Sequence, residues 1–331
     1  MEYRMLGKTG IDVSVIAMGC WALAGDEAWG PQDESDSIAT VHAALDVGVN
    51  LFDTAEGYGD GRSEEVLGKA LVGRRDRAII ATKVSGNHLS AEGVVLACER
   101  SLKLLRTDTI DLYQIHWPSR QIPLAETLRA LQRLREQGKI RAIGVCNFGL
   151  LDLKDLVDLG GAESNQLPYS LLWRGIEHEL QPRCQDVGMG ILCYSPLAQG
   201  LLTGKFASPE DVPAGRARTR HFSKDRPLAR HGEDGCEAET FAAIDEIRRI
   251  CQRVGAPMAQ AALAWLVAQD GVASVLAGAR RPEQIEDNVR AAELDLPSEV
   301  IDALSAATAR LKEALGANLD QYQGAATSRF R

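Results

Sequence analysis

Val15-Ile16-Ala17-Met18-Gly19-Cys20-Trp21 decides between the two α/β architectures open to this chain. Residues 15–18 form an apolar, β-rich run of strand length. In a doubly wound open sheet, such a first strand normally leads into a G-x-G-x-x-G turn. Here it leads into Met18-Gly19-Cys20-Trp21, which lacks that pattern. The remaining strand candidates are residues 50–53, 78–83, 109–116, 140–145, 163–166, 190–194 and 272–276. Amphipathic segments separate them. In 37–48 and just beyond, Ile38, Val41, Leu45 and Val49 recur at helical spacing, with Asp33 and Asp36 placed to cap the start. Residues 127–137 repeat the theme with Leu128, Leu131 and Leu134, and Gly138 follows as a stop. Eight strand-then-helix units over 331 residues predict an α/β fold of the (β/α)8 TIM-barrel type, with 1–331 as one barrel domain.

Two segments lie outside a bare barrel. Residues 3–13, with Gly7-Lys8-Thr9-Gly10 as the turn, read as an N-terminal β-hairpin that caps the barrel bottom. Residues 207–235 form a long Pro-, Gly- and charge-rich loop, expected at the C-terminal face; loops of this length in compact domains are usually functional or disordered.

In a barrel, catalytic side chains sit at the C-terminal ends of the strands. Four candidates fall there. Asp53 and Tyr58 share the loop Phe52-Asp53-Thr54-Ala55-Glu56-Gly57-Tyr58-Gly59, Lys83 closes 78–83, and His116 closes 110–116. A carboxylate, a phenol, an ammonium and an imidazole on one face make a set that can move a proton. Taken singly, each has an ordinary structural reading as a turn, a strand edge or a packed ring. Their order and common placement argue for a joint role.

Bulk properties narrow the partners. A net charge of −9 argues against nucleic acid, whose binding depends on Lys and Arg neutralising phosphates. No run of about 18 uncharged apolar residues suggests a membrane span. The start Met1-Glu2-Tyr3-Arg4 has no signal-peptide core, so a cytoplasmic location is expected. The seven cysteines are odd in number and contain no C-x-x-C pair, which predicts reduced core thiols and no metal site.

These residues, in this order, resemble the aldo-keto reductase superfamily over nearly the whole chain. The likeness runs through Leu6-Gly7-Lys8-Thr9-Gly10, Met18-Gly19-Cys20-Trp21, residues 50–59, Thr82-Lys83 and Ile115-His116-Trp117. It continues through Ile143-Gly144-Val145-Cys146-Asn147-Phe148, Asn165-Gln166, Tyr194-Ser195-Pro196-Leu197, and Gly278-Ala279-Arg280 with Gln284 and Asn288. The resemblance implies hydride transfer between a nicotinamide cofactor and the carbonyl or alcohol of an aldehyde, ketone or sugar-like substrate. Tyr58 is then the general acid/base. Lys83 lowers its pKa, Asp53 anchors Lys83, and His116 orients the carbonyl oxygen.

By the same resemblance, Asn147 and Gln166 bond the nicotinamide carboxamide, and Tyr194 stacks on the ring. The family usually has Ser where Cys146 stands, and a thiol is a weaker partner. Gly19, Cys20, Trp21 and Asp53 border the cofactor. Ser195, Pro196, Leu197, Gln199, Gly200, Leu201, Gly204 and Lys205 run along the pyrophosphate, with Arg216 or Arg218 of the basic long loop closing over it. That loop also carries Arg220, Lys224, Arg226 and Arg230. Gly278 and Arg280 follow the last strand, where barrels often bind phosphate, and Arg suits a 2′-phosphate. Gln284, Asp287 and Asn288 would hold adenine and ribose, Asp287 standing where the family often has Glu. NADP(H) is therefore favoured over NAD(H).

Trp21, Trp117 and Trp173 are expected to form an aromatic substrate wall beside Tyr58 and His116, with the tail 320–324 over the mouth and Trp265 in the core. Such a wall suits sugar-like aldehydes, and small aliphatic or aromatic aldehydes fit as well. The assembly is open between monomer and homo-oligomer. One rival is a non-catalytic, nucleotide-binding regulatory subunit of the same fold, like the channel β-subunit relatives; the intact set of four and the lack of a long N-terminal extension speak against it. A metal-dependent barrel hydrolase would want His-x-His after the first strand, which is missing.

Overall fold

The computed structural model describes residues 1–26 and 29–331. Its strands are β1 (Tyr3–Met5), β2 (Asp12–Ser14), β3 (Ile16–Gly19), β4 (Leu51–Asp53), β5 (Ile79–Val84), β6 (Ile110–Ile115), β7 (Ile140–Cys146), β8 (Ser164–Pro168), β9 (Gly190–Tyr194) and β10 (Val272–Gly278). β3 to β10 pair in sequence order, all parallel, and β10 closes on β3: an eight-stranded (β/α)8 barrel. Helices α1 (Glu34–Asp46), α2 (Arg62–Ala70), α3 (Ala91–Leu105), α4 (Leu124–Glu136), α5 (Leu150–Asp158) and α6 (Leu180–Asp186) each follow one strand. α7 (Glu237–Val254) and α8 (Met258–Val267) lie between β9 and β10. α9 (Pro282–Val289), α10 (Ser298–Ala307) and α11 (Ala309–Leu315) complete the chain's helices.

The barrel interior is filled, not hollow. Ala17, Leu51, Ala81, Leu112, Ala142, Leu192, Ala273 and Leu276 from the strands pack with Leu6, Ile11 and Val13 of the hairpin β1–β2. Each buried Leu or Ile there contributes about 1.5–3 kcal/mol. The hairpin sits at the bottom, against the strand starts. Arg4 Nη1 donates to the carbonyls of Val267 (2.7 Å) and Val272 (3.0 Å), and Lys8 Nζ to that of Val187 (3.0 Å). Gly7 has φ +54°, and a Cβ there would stand 2.1 Å from the Glu163 carbonyl oxygen, so only glycine fits the turn.

Helix starts differ from the periodicity reading. α1 begins at Glu34 because Asp33 is the N-cap, its Oδ1 accepting from the backbone N–H groups of Ser35 (2.7 Å) and Asp36 (3.2 Å); Asp36 lies inside the first turn. α4 begins at Leu124, directly after its N-cap Pro123; Leu124 lies four positions before Leu128 and extends the same apolar stripe by one turn. Gly138 does end α4 in a left-handed conformation, φ +74°. The long loop 207–235 is irregular apart from one short turn of helix at Pro209–Asp211. No helix among the described residues is long and apolar enough to cross a membrane.

Candidate active site

Three strand ends bring the set together. Asp53 ends β4, Lys83 is the penultimate residue of β5, His116 follows β6, and Tyr58 sits on the loop after β4. Lys83 is fully buried, and its three donor directions are occupied. Nζ donates to Asp53 Oδ1 at 2.6 Å, to the Thr54 carbonyl at 2.7 Å and to Tyr58 Oη at 3.2 Å. The second Asp53 oxygen accepts from Gln166 Nε2 (2.7 Å) and Gln114 Nε2 (3.3 Å). Such a pair holds in a dry interior only because its remaining valences are satisfied.

Two rings enclose the phenol. Trp21 stacks on Tyr58 with centroids 5.4 Å apart and planes 16° apart. His116 meets it edge-on at 5.7 Å. Burial pushes the Tyr58 phenol up to about 12; Lys83 pulls the other way and is outweighed. Lys83 does lower the phenol's pKa, as expected, but desolvation is larger, so the lysine limits a rise rather than producing a net fall. Burial draws Lys83 down, but Asp53 and then Tyr58 hold it above the ordinary lysine value, so it stays charged. Burial, then the Lys83 charge, pushes the His116 imidazole down to about 3, so it is neutral near pH 7 and can donate one N–H without carrying charge.

A second layer ties the expected carboxamide residues to this set. Asn147, at φ +64°, donates from Nδ2 to the His116 carbonyl (3.0 Å) and accepts from Tyr194 Oη at Oδ1 (2.9 Å). Cys146 is buried, and its Sγ lies 3.6 Å from Gln114 Oε1. Gln114 was not among the sequence candidates, yet its position was readable. It lies two residues before His116, on the inward face of β6, where a buried amide needs partners.

The β9–α7 side carries an unusual backbone. Ser195, Ala198, Gln199, Gly200 and Gly204 all have positive φ. A Cβ on Gly200 would stand 3.2 Å from both Arg216 Nη1 and Lys205 Nζ. Pro196 and Leu201 are buried and pack into the core, while Leu197 is half-buried. Partial burial, then the neighbouring Arg216, holds the Lys205 ammonium below its ordinary value. Three other cations of the long loop do not face an anion site. Arg220 pairs with Glu233, Lys224 with Asp234 and Arg226 with Glu237, so much of the loop's positive charge fastens the loop itself.

At the end of β10, Gly278 is exposed, and its carbonyl accepts from Asn288 Nδ2 at 3.4 Å. Gln284 Oε1 accepts from the Arg280 backbone N–H at 2.8 Å. Asp287 pairs with Arg290 at 2.7 Å. The Arg280 guanidinium is turned toward the β3–α1 loop, on Gln32 and the carbonyls of Trp29 and Pro31.

Trp117 borders the mouth. Arg329 lies 3.9 Å over its ring, and Phe330 meets it edge-on at 5.5 Å. Arg329 is clamped by both oxygens of buried Asp320, each at 2.7 Å. Tyr322 Oη accepts from Gln199 Nε2 at 3.3 Å, so the tail spans from the 195–204 segment to Trp117. Trp173 does not join this wall. It is 1% exposed, packed against His221 at 5.3 Å, because the apolar run Tyr169-Ser170-Leu171-Leu172-Trp173 turns into the core. Trp265 is fully buried. Trp29, unplaced by sequence, meets Trp21 edge-on at 5.7 Å. All seven cysteines are free and six are buried. Among the described residues, no group of three or more His, Cys, Asp or Glu could hold a metal ion.

A barrel whose mouth links Asp, Lys and Tyr by hydrogen bonds and sets a His edge-on to the Tyr has the form of a carbonyl oxidoreductase. The family model described as "Aldo/keto reductase family" matches residues 15–309, and the chain belongs to that family. It is 37% identical over 297 residues to the aldo-keto reductase YhdN of Bacillus subtilis (strain 168), spanning 86% of this chain and 87% of the relative. It is 34% identical to the NADH-specific methylglyoxal reductase of Escherichia coli (strain K12), spanning 89% and 95%. Among solved structures it resembles an aldo-keto reductase from Klebsiella pneumoniae in complex with NADPH. That match has TM-score 0.73 and 31% identity, and covers 92% of this chain and 95% of the other.

Proposed function

We propose that this oxidoreductase is an NADP(H)-dependent reductase of aldehydes, ketones or sugar-like carbonyls, with Tyr58 as its proton donor. The observation that carries this reading is the chain of bonds from Asp53 to Lys83 to Tyr58, at 2.6 and 3.2 Å, beside a neutral His116.

The residues present fit a dinucleotide phosphate. Lys205 and Arg216 converge at Gly200, and Arg280 stands at the end of the last strand with only neutral oxygens as partners among the described residues. Lys205 and Arg216, with the backbone of Ser195, Leu197, Gln199, Gly200, Leu201 and Gly204, would lie along the pyrophosphate. Arg280 would take the 2′-phosphate, and Gln284, Asp287 and Asn288 the adenosine. Asn147 and Gln166 would bond the carboxamide, with Tyr194 under the ring. The bound nicotinamide supplies a hydride to the carbonyl carbon. His116 donates a hydrogen bond to the carbonyl oxygen and aims it. Tyr58 then releases its proton to that oxygen, because an alkoxide is a stronger base than a phenolate whose acid sits near 12. Lys83, kept charged by Asp53, stabilises the phenolate left behind. Trp21 and Trp117 form the walls.

We take residues 1–331 as one domain. The free, buried thiols support a reducing compartment such as the cytoplasm. The NADH-specific relative makes the cofactor choice worth testing directly. The test is a panel of sugars, short aldehydes, dicarbonyls and aromatic aldehydes, scored by NADPH and by NADH consumption. Turnover of at least one carbonyl with NADPH, lost in Tyr58→Phe while the nucleotide still binds, is the expected result. Nucleotide binding with no turnover across the panel would favour the regulatory-subunit alternative, and full turnover by Tyr58→Phe would remove Tyr58 from its role.

A further inference from the structure

Three arginines around the mouth of this barrel end on carboxylates: Arg220 on Glu233, Arg226 on Glu237, Arg329 on Asp320. Arg280 is held differently. Its Nε donates to Gln32 Oε1 at 2.7 Å, Nη1 to the Trp29 carbonyl at 3.0 Å and Nη2 to the Pro31 carbonyl. Gln32 returns a bond, from Nε2 to the Arg280 carbonyl at 3.0 Å. Every one of these partners is neutral. Among the described residues no carboxylate meets it: three protein bonds fix the plane of the guanidinium and leave two of its five N–H groups and its charge to spend.

The identity of residue 32 matters to this arrangement. A glutamate could hold the Arg280 fork as firmly, but its carboxylate would neutralise the charge and repel an approaching phosphate. It also could not donate to the Arg280 carbonyl. An alanine would remove one of the fork's three bonds and loosen its aim. Glutamine alone of the three both accepts from the guanidinium and donates to the backbone behind it, without adding charge. We propose that Gln32 is a specificity-determining residue, a neutral cradle that aims Arg280 at a 2′-phosphate and so sets discrimination between NADP(H) and NAD(H). This rests on the reading that Arg280 takes the 2′-phosphate.

A simple clamp between the β3–α1 and β10–α9 loops would use the same bonds, so the test must separate charge from clamping. Calorimetric titration of the full chain with adenosine 2′,5′-bisphosphate and with adenosine 5′-monophosphate reads the 2′-phosphate alone. In Gln32→Glu the bond to the guanidinium is kept, the bond to the Arg280 carbonyl is lost and the charge is spent. The preference for the bisphosphate should fall by about tenfold or more, with monophosphate affinity within about twofold of the parent. In Gln32→Ala the preference should fall by a few-fold, as roughly one bond's worth of ordering is lost. Thermal midpoints confirm that each variant is folded, and if Gln32→Glu is not, Gln32→Ala carries the test. If the parent prefers the bisphosphate, Arg280→Ala loses the preference and Gln32→Glu keeps it, the cradle is only a clamp and the inference is wrong. If the parent shows no preference, the 2′-phosphate reading of Arg280 fails first, and this inference fails with it.

Discussion

The two ends of the proposed site treat charge in opposite ways. At Lys83 the charge is answered before any ligand arrives: Asp53 lies 2.6 Å away, and the Thr54 carbonyl and Tyr58 take the other bonds. At Lys205, Arg216 and Arg280 the positive charge is left standing, with two cations crowding Gly200 and a third resting on neutral oxygens. Proton transfer needs groups whose positions and charges are already settled, since reorganisation at the moment of reaction costs rate. Anion capture needs a deficit that the ligand itself fills. The same residue types therefore serve two purposes, and the presence or absence of a carboxylate partner separates them.

The comparison breaks first at Lys83. Lys83→Met should leave Asp53 buried against only Gln166 and Gln114 and cost about 3–5 kcal/mol in urea unfolding, along with activity. A stability loss under about 1 kcal/mol would mean that the pair is not the settled unit described. Tyr58→Phe removes the proton but no charge. We expect carbonyl reduction to fall about 10³-fold with nucleotide binding unchanged, measured by turnover and by fluorescence titration. Arg280→Ala acts at the other end. It should raise the Michaelis constant for NADPH about a hundredfold and leave that for NADH within about threefold; equal changes in both would place Arg280 outside 2′-phosphate recognition.

Glu64 sharpens the contrast, as a buried carboxylate with no cation bonded to it. Thr82 Oγ1 donates to its Oε1 at 2.5 Å, and burial pushes its pKa up to about 6 from the usual 4.5. The folded state therefore holds this proton more tightly than the unfolded chain. Its stabilising contribution is complete below pH 4.5 and is lost as pH rises through about 6. Glu64→Gln should thus gain about 2 kcal/mol relative to the parent between pH 4 and pH 8 in denaturant titrations. A constant difference across that range would show that Glu64 does not titrate there. The smallest expected effect is none: nitrogen-15 shifts of the His116 ring should stay those of a neutral imidazole from about pH 5 to pH 9, given its pKa near 3.

The barrel and three of the four were legible because each closes a short apolar run of strand length, Asp53 after Leu51-Phe52, Lys83 after Ile79-Ile80-Ala81-Thr82 and His116 after Ile115, while Tyr58 lies on the loop just beyond Asp53. A strand end is a local property. What could not be read was decided by packing between distant segments. The rise in the Tyr58 pKa depends on enclosure by Trp21 and His116, which sequence separates by 37 and 58 positions. The resting partner of Arg280 lies 248 positions away. Trp173 was misplaced for a different reason: tryptophan was read as a wall residue, although the apolar neighbours Leu171 and Leu172 already signalled burial.

The hairpin β1–β2 closes the bottom of a barrel whose interior is already filled by Leu and Ala side chains. No route runs through the molecule from end to end. Tyr58 and His116 lie at the other end, where the tail and the 195–204 segment meet. The molecule is thus a cup rather than a tube: a plugged base that holds it together and a rim that carries its polar residues.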